Sequence, residues 1–126
     1  MIHYLDTHIL PWLYENDIDK LTRKARAALE RSDLLISPMV LLELEYLYEI
    51  GRILIQPQAV LLKLQNQIGL RICDLPFQTV ISAALYEAWT RDPFDRIIVA
   101  HAKSNEFAPL ITSDAKIQRN YAKVTW

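Results

Sequence analysis

Ile2-His3-Tyr4-Leu5-Asp6-Thr7-His8 is the stretch on which the fold turns. Ile2 to Leu5 is a short apolar run of the kind that forms a buried strand, and Asp6 stands where that run gives way to a turn or helix. Leu110-Ile111-Thr112-Ser113-Asp114 repeats the arrangement near the other end of the chain. Between them, Leu34–Ile36 and Leu70–Cys73 read as further short strands, and Val124-Thr125 as a last edge strand. Helical segments fill the intervals. A segment after Asp6 carries Pro11, which predicts a helix restarting there with the proline in its first turn. Asp17–Arg31 places Leu21, Ala25, Ala28 and Leu29 on one face and Lys20, Arg23, Lys24, Arg26 and Arg31 on the other. Ser37-Pro38 is a helix start, and that helix runs to about Ile50 before Gly51. Gln58–Ile68 ends at Gly69. Pro76–Trp89, Pro93–Asn105 and Ala115–Asn120 complete the set. Strands alternating with helices predict an α/β chain: a parallel sheet covered on both faces.

The 126 residues suit one domain with a core of its own. Hydrophobic residues at 52% against 23% charged place the chain among globular proteins and not disordered ones. A formal net charge of −1 means that any affinity for nucleic acid must be local. One cysteine, Cys73, excludes an internal disulfide and fits a reducing cytoplasm. Met1-Ile2-His3-Tyr4 lacks the basic head of a signal peptide, and Leu34–Leu47 is too short and too polar to span a membrane. With only Gly51 and Gly69, neither a dinucleotide fingerprint nor a P-loop is present. Phosphate handling would therefore fall to metal and side chains.

Four acidic signals stand out, each with a plain structural reading beside it. Asp6 and Asp114 would cap the helices that follow them, but ligands of open parallel sheets bind beyond the carboxyl ends of the strands, where both lie. Glu43 lies inside a helix, where capping cannot explain it. Val40, Leu44 and Leu47 set it at the edge of the apolar stripe, where a carboxylate is costly unless paired or metal-bound. Glu45 and Glu49, four apart, read as a solvated face. Asp92-Pro93-Phe94-Asp95-Arg96 is close to a capping box, yet it opens a nearly all-apolar helix that would hold Asp95 rigidly. Carboxylates crowded together repel unless a cation neutralises them, and oxygen-only ligation suits Mg²⁺ or Mn²⁺. Thr7, Thr112 and Ser113 are placed to orient these acids through hydrogen bonds, and Asp92 to cap and support. His8 is placed to position Asp6. Arg91, Arg96, Lys116 and Arg119 flank the acids and are candidates for contact with a phosphate backbone, with solvated surface charge as the plain alternative. No aromatic stacking platform is evident. Trp12, Tyr46, Tyr48 and Trp89 read as core or as part of a partner surface.

Tyr4-Leu5-Asp6-Thr7-His8-Ile9-Leu10 resembles the opening of PIN domains, especially bacterial toxins of the VapC type. Ser37-Pro38 with Glu43, Asp92-Pro93-Phe94-Asp95-Arg96 and Leu110-Ile111-Thr112-Ser113-Asp114 resemble that family's remaining motifs, in order and across nearly the whole chain. The resemblance implies a single PIN domain over residues 1–126, with a three-layer α/β/α fold. It implies a Mg²⁺- or Mn²⁺-dependent endoribonuclease that leaves 5′-phosphate and 3′-hydroxyl ends. The acidic quartet would be Asp6, Glu43, Asp95 and Asp114. Asp6 and Asp95 would be direct metal ligands; Glu43 and Asp114 would bind through water, complete a second site or orient the attacking water. It also implies a homodimer and a small antitoxin encoded alongside. Pro11 within the first helix departs from the family pattern. Two other readings stand beside this one: a catalytically silent interaction protein of the same fold, and a doubly wound phosphatase or phosphoacceptor domain using Asp6. His8 two residues after Asp6, and Cys73-Asp74 at the third strand, fit that last class poorly.

Overall fold

The computed structural model describes residues 1–126. Five strands, β1 (Ile2–Leu5), β2 (Asp33–Ile36), β3 (Arg71–Ile72), β4 (Leu110–Ile111) and β5 (Val124–Thr125), form one sheet in the order β3-β2-β1-β4-β5. Every pairing is parallel, with Tyr4 opposite Leu35 on one side and Leu110 on the other, and Leu5 opposite Ile111. Seven helices flank the sheet: α1 (Ile9–Tyr14), α2 (Arg23–Arg31), α3 (Pro38–Glu49), α4 (Pro57–Ile68), α5 (Phe77–Ala84), α6 (Pro93–Ser104) and α7 (Ala115–Asn120). This is the expected three-layer α/β/α arrangement. No helix is long and apolar enough to cross a membrane.

The central strand is apolar because both of its faces are covered. Tyr4 and Leu5 are fully buried, and they join Ile36, Leu44, Leu64, Ile98, Leu110 and Ile111 in one continuous core. The Tyr4 hydroxyl donates to Cys73 Sγ at 2.9 Å and accepts from Asn105 Nδ2 at 2.9 Å. The single cysteine is thus a buried packing group.

Two helices are shorter than their sequence suggests. Residues 18–20 form only a 3₁₀ turn, Leu21 is extended and buried, and α2 starts after Thr22, whose hydroxyl accepts from Ala25 N at 3.1 Å. Thr22 sets the helix start, and Leu21 reaches the core better from extended backbone. α5 ends at Ala84, not near Trp89. The chain there turns to bury Glu87, whose carboxylate pairs with Lys103 Nζ at 2.5 Å and accepts from Trp89 Nε1 at 2.6 Å. Arg96 reaches back to the carbonyls of Ala84 and Leu85, both at 3.3 Å, and satisfies the end of α5. Pro11 is the third residue of α1, within its first turn, where backbone donors have no helical partner.

Removing Lys103 leaves the Glu87 charge buried. Lys103→Met is expected to lower stability by about 3 kcal/mol, the low end for a broken buried pair because Lys103 itself is partly exposed. The loss should be read as a lower urea midpoint at unchanged slope. Adding Glu87→Gln should recover most of it; a single-variant loss below about 1 kcal/mol would show that the pair is not a buried support.

Candidate active site

The strand order places β1 between β2 and β4, so the connections diverge at the carboxyl ends of β1 and β4. That divergence opens the crevice in which open parallel sheets bind ligands. Asp6 leaves β1 at this point, and its backbone N–H donates to the Ile111 carbonyl at 3.0 Å. Thr112 follows β4 directly. Its hydroxyl donates to Asp6 Oδ2 at 2.6 Å and accepts from Asp114 N at 3.0 Å. Thr7 N donates to Asp6 Oδ1 at 2.8 Å. Asp6 is therefore held at both oxygens and does not cap α1, whose N-cap is His8 without a side-chain bond. His8 is exposed and makes no hydrogen bond to Asp6; its ring packs edge-on against Trp12, so it does not position the acid as expected.

Glu43 is half-buried on α3, and its Oε1 accepts from the buried Thr7 hydroxyl. One threonine thereby links the β1 end to α3, as Thr112 links it to the β4 end. Asp95 is half-buried in the first turn of α6. Asp92 caps that helix, accepting from Phe94 N at 2.8 Å, and Asp114 caps α7, accepting from Lys116 N at 2.8 Å and Ile117 N at 3.0 Å through the same Oδ1. Asp114 is exposed. Ser113 is exposed too and donates to none of these carboxylates.

Two contacts clamp α3 to α6. Ser37 Oγ and His101 Nδ1 lie 2.7 Å apart, both side chains buried, while Tyr46 stacks on Phe94 with ring centroids 5.8 Å apart. These pairs bracket Glu43 and Asp95 and fix their helices against each other. His101 has no expected role in the sequence reading; a lone histidine on the apolar face of α6 is the signal that marks it. Burial lowers its pKa and keeps the ring neutral.

The electrostatics show that the acids sense one another. Burial pushes Asp95 up to about 7, and the charges of Asp92, Asp6, Asp114 and Glu43 add to the rise. Glu43 is also pushed up to about 7, chiefly by burial; the Thr7 bond opposes the rise, and Asp6, Asp92 and Asp114 reinforce it. Burial raises Asp6 as well, against the pull of Thr112 and Thr7. No lysine or arginine offsets this charge: the three ion pairs of the fold are Lys20–Asp17, Arg26–Asp19 and Lys103–Glu87. Oxygen-only donors without a counter-charge fit a hard divalent cation. As they stand, no three carboxylates, histidines or cysteines close into a ligand shell.

Among the flanking cations, Arg96 faces α5 as described. Arg91 bonds the Ala88 carbonyl of its own loop at 2.9 Å. Lys116 and Arg119 are exposed on α7, free of ion pairs, directly after Asp114.

The PIN-domain family model matches residues 3–123. No curated protein matches the chain. Among solved structures, VapBC2 from Rickettsia felis, bound to a DNA fragment from their promoter, is similar at 18% identity and a TM-score of 0.67. The match covers 98% of this chain and 96% of that one. VapBC-1 from nontypeable Haemophilus influenzae is similar at 19% identity and a TM-score of 0.61, over 100% and 96% of the two chains. A family match over nearly all of the sequence, on a parallel sheet with acids gathered at its switch point, shows that the chain belongs to the PIN-domain family.

Proposed function

We propose that this protein is a metal-dependent endoribonuclease of the VapC toxin type. The observation that carries the reading is the gathering of Asp6, Glu43, Asp95 and Asp114 at one sheet edge with no cationic side chain among them. Mg²⁺ or Mn²⁺ would be held by Asp6 and Asp95 directly, with Glu43 and Asp114 acting through water or at a second position. When bound, the cation would acidify a water for in-line attack and neutralise charge on the scissile phosphate and leaving oxygen. Thr112 and Thr7 hold the carboxylates they touch in fixed orientation without neutralising them. Near neutral pH, Glu43 and Asp95 are poised between protonated and charged forms. Lys116 and Arg119 would meet the RNA backbone beside Asp114.

The structural neighbours are VapBC assemblies, which supports a protein antitoxin as partner and a cytoplasmic setting. Exposed Leu42, Leu62, Phe77 and Tyr86 offer apolar surface for that partner or for a second copy in a homodimer. One observation favours a second reading, the silent interaction protein: no three of the acids close into a ligand shell unaided.

Cleavage of mixed single-stranded RNA and tRNA by partner-free protein discriminates the two. The parent should cut with Mg²⁺ or Mn²⁺ and leave 5′-phosphate ends; EDTA, Asp6→Asn and Asp95→Asn should each lower the rate at least a hundredfold. Metal-independent cutting, or full activity in both variants, would overturn the proposal.

The same acids set a stability signature. Glu43 and Asp95 titrate near 7 in the folded chain, against 4.5 and 3.8 as ordinary values. Between these limits the folded chain holds more protons than the unfolded one, so metal-free stability should fall as pH rises from about 4 to about 7. Asp95→Asn should flatten that slope and raise the melting temperature at pH 7.5. Mn²⁺ should raise the parent's melting temperature at pH 7.5 and progressively less below pH 7. An unfolding transition that ignores Mn²⁺ at pH 7.5 would count against a metal site.

A further inference from the structure

A cavity of about 190 Å³ is lined by His8, Pro11 and Trp12, which follow Asp6, and by Leu47, Arg52 and Ile53, which follow Glu43. Both walls stand close in the chain to an acid of the site. His8 follows Asp6 by two residues. Leu47 follows Glu43 by four, one turn of α3 further along the same face, a rise of roughly 6 Å. The Trp12 indole is set by its neighbours: His8 lies edge-on at 6.3 Å with an interplanar angle of 87°, Trp126 is tilted by 43° at 6.3 Å, and the exposed Lys20 Nζ lies over the ring 5.7 Å from its centroid.

Arg52 is placed by the end of α3. Gly51 adopts φ +79°, its N–H donates to the Tyr48 carbonyl at 3.1 Å, and Arg52 N donates to the Leu47 carbonyl at 2.8 Å. These are the two bonds of a Schellman motif, which needs a residue such as glycine in the left-handed region. The backbone of Arg52 is thereby fixed beside Leu47, while its exposed guanidinium enters none of the fold's ion pairs. A fixed indole, with the mobile head of Lys20 over it, and a guanidinium outside the ion pairs thus line one recess, on segments that follow Asp6 and Glu43.

We infer that this cavity is a nucleobase subsite, which rests on the ribonuclease reading and extends it to substrate binding. A base of single-stranded RNA adjacent to the scissile phosphate stacks on Trp12, and the Arg52 guanidinium meets the phosphate on its flank with its planar fork. With Arg52 on the phosphate, His8 is the one polar side chain of the lining left to meet a base edge, so the subsite takes bases chiefly by their faces. It also gives RNA an anchor outside the crevice, where uncompensated carboxylates repel phosphate.

Equilibrium binding in EDTA tests this without any turnover. A labelled single-stranded RNA decamer is titrated with the full chain and with Arg52→Ala, an exposed substitution outside the core, and Trp12→Ala is run alongside with its fold checked by circular dichroism. A second series of decamers carries one abasic nucleotide, moved along the strand. The expected result is a roughly tenfold loss of affinity in Arg52→Ala and in folded Trp12→Ala, and a comparable loss at one abasic position in the parent only. Parent-level affinity in Arg52→Ala, or indifference to every abasic substitution, would overturn the subsite and leave the cavity to a protein side chain. No binding in EDTA by a chain that cleaves RNA with metal would overturn the subsite alone. Neither binding nor cleavage would overturn the ribonuclease reading with it.

Discussion

Negative charge gathered without a counter-charge is the constraint on which this structure depends. Parallel strands all end on the same side, so the turns after β1 and β4 and the helices α3 and α6 bring their acids to one end of the sheet, where their charges act on one another. Burial and mutual repulsion then work against ionisation of Glu43 and Asp95. A fold gains nothing in stability from such an arrangement. Its retention within a core otherwise well paired, with no buried side-chain polar atom lacking a partner, points to a use that lies outside folding.

The surrounding polar groups make sense on that basis. Thr7 and Thr112 are neutral donors, so each steadies a carboxylate without cancelling its charge. A cationic group in either place would cancel the charge that a metal ion would otherwise meet. The basic groups nearby are turned to other tasks or kept outside: Arg96 satisfies α5, while Lys116 and Arg119 lie out on α7. The Ser37–His101 and Tyr46–Phe94 contacts do for the helices what the threonines do for the strand ends, holding Glu43 and Asp95 in register.

Much of this was legible in the sequence where the cause is local. Ser37, Asp92 and Asp114 cap helices within three residues of themselves, Gly51 and Gly69 end helices beside themselves, and apolar runs that stop at an acid mark strand ends. What escaped has distant causes. The early end of α5 follows from Glu87 finding Lys103, and the delayed start of α2 from Leu21 seeking the core. The role of His101 depends on Ser37, 64 residues away. The Trp12 cavity escaped for the same reason: it needs α1 and the turn after α3 side by side, which no local pattern states.

Asp92 and Asp114 show where pattern reading reaches its end. Both are N-caps with the same backbone signature, each using Oδ1 to accept two amide protons. A capping sequence identifies both and separates neither. Their neighbours separate them: Asp114 N is tied through Thr112 to Asp6, whereas Asp92 N is tied to Thr90 in its own loop. Capping and function are not rival explanations for Asp114. The two amides on Oδ1 fix the carboxylate, and fixing it leaves Oδ2 as an oriented oxygen at the end of β4, one threonine removed from the acid at the end of β1.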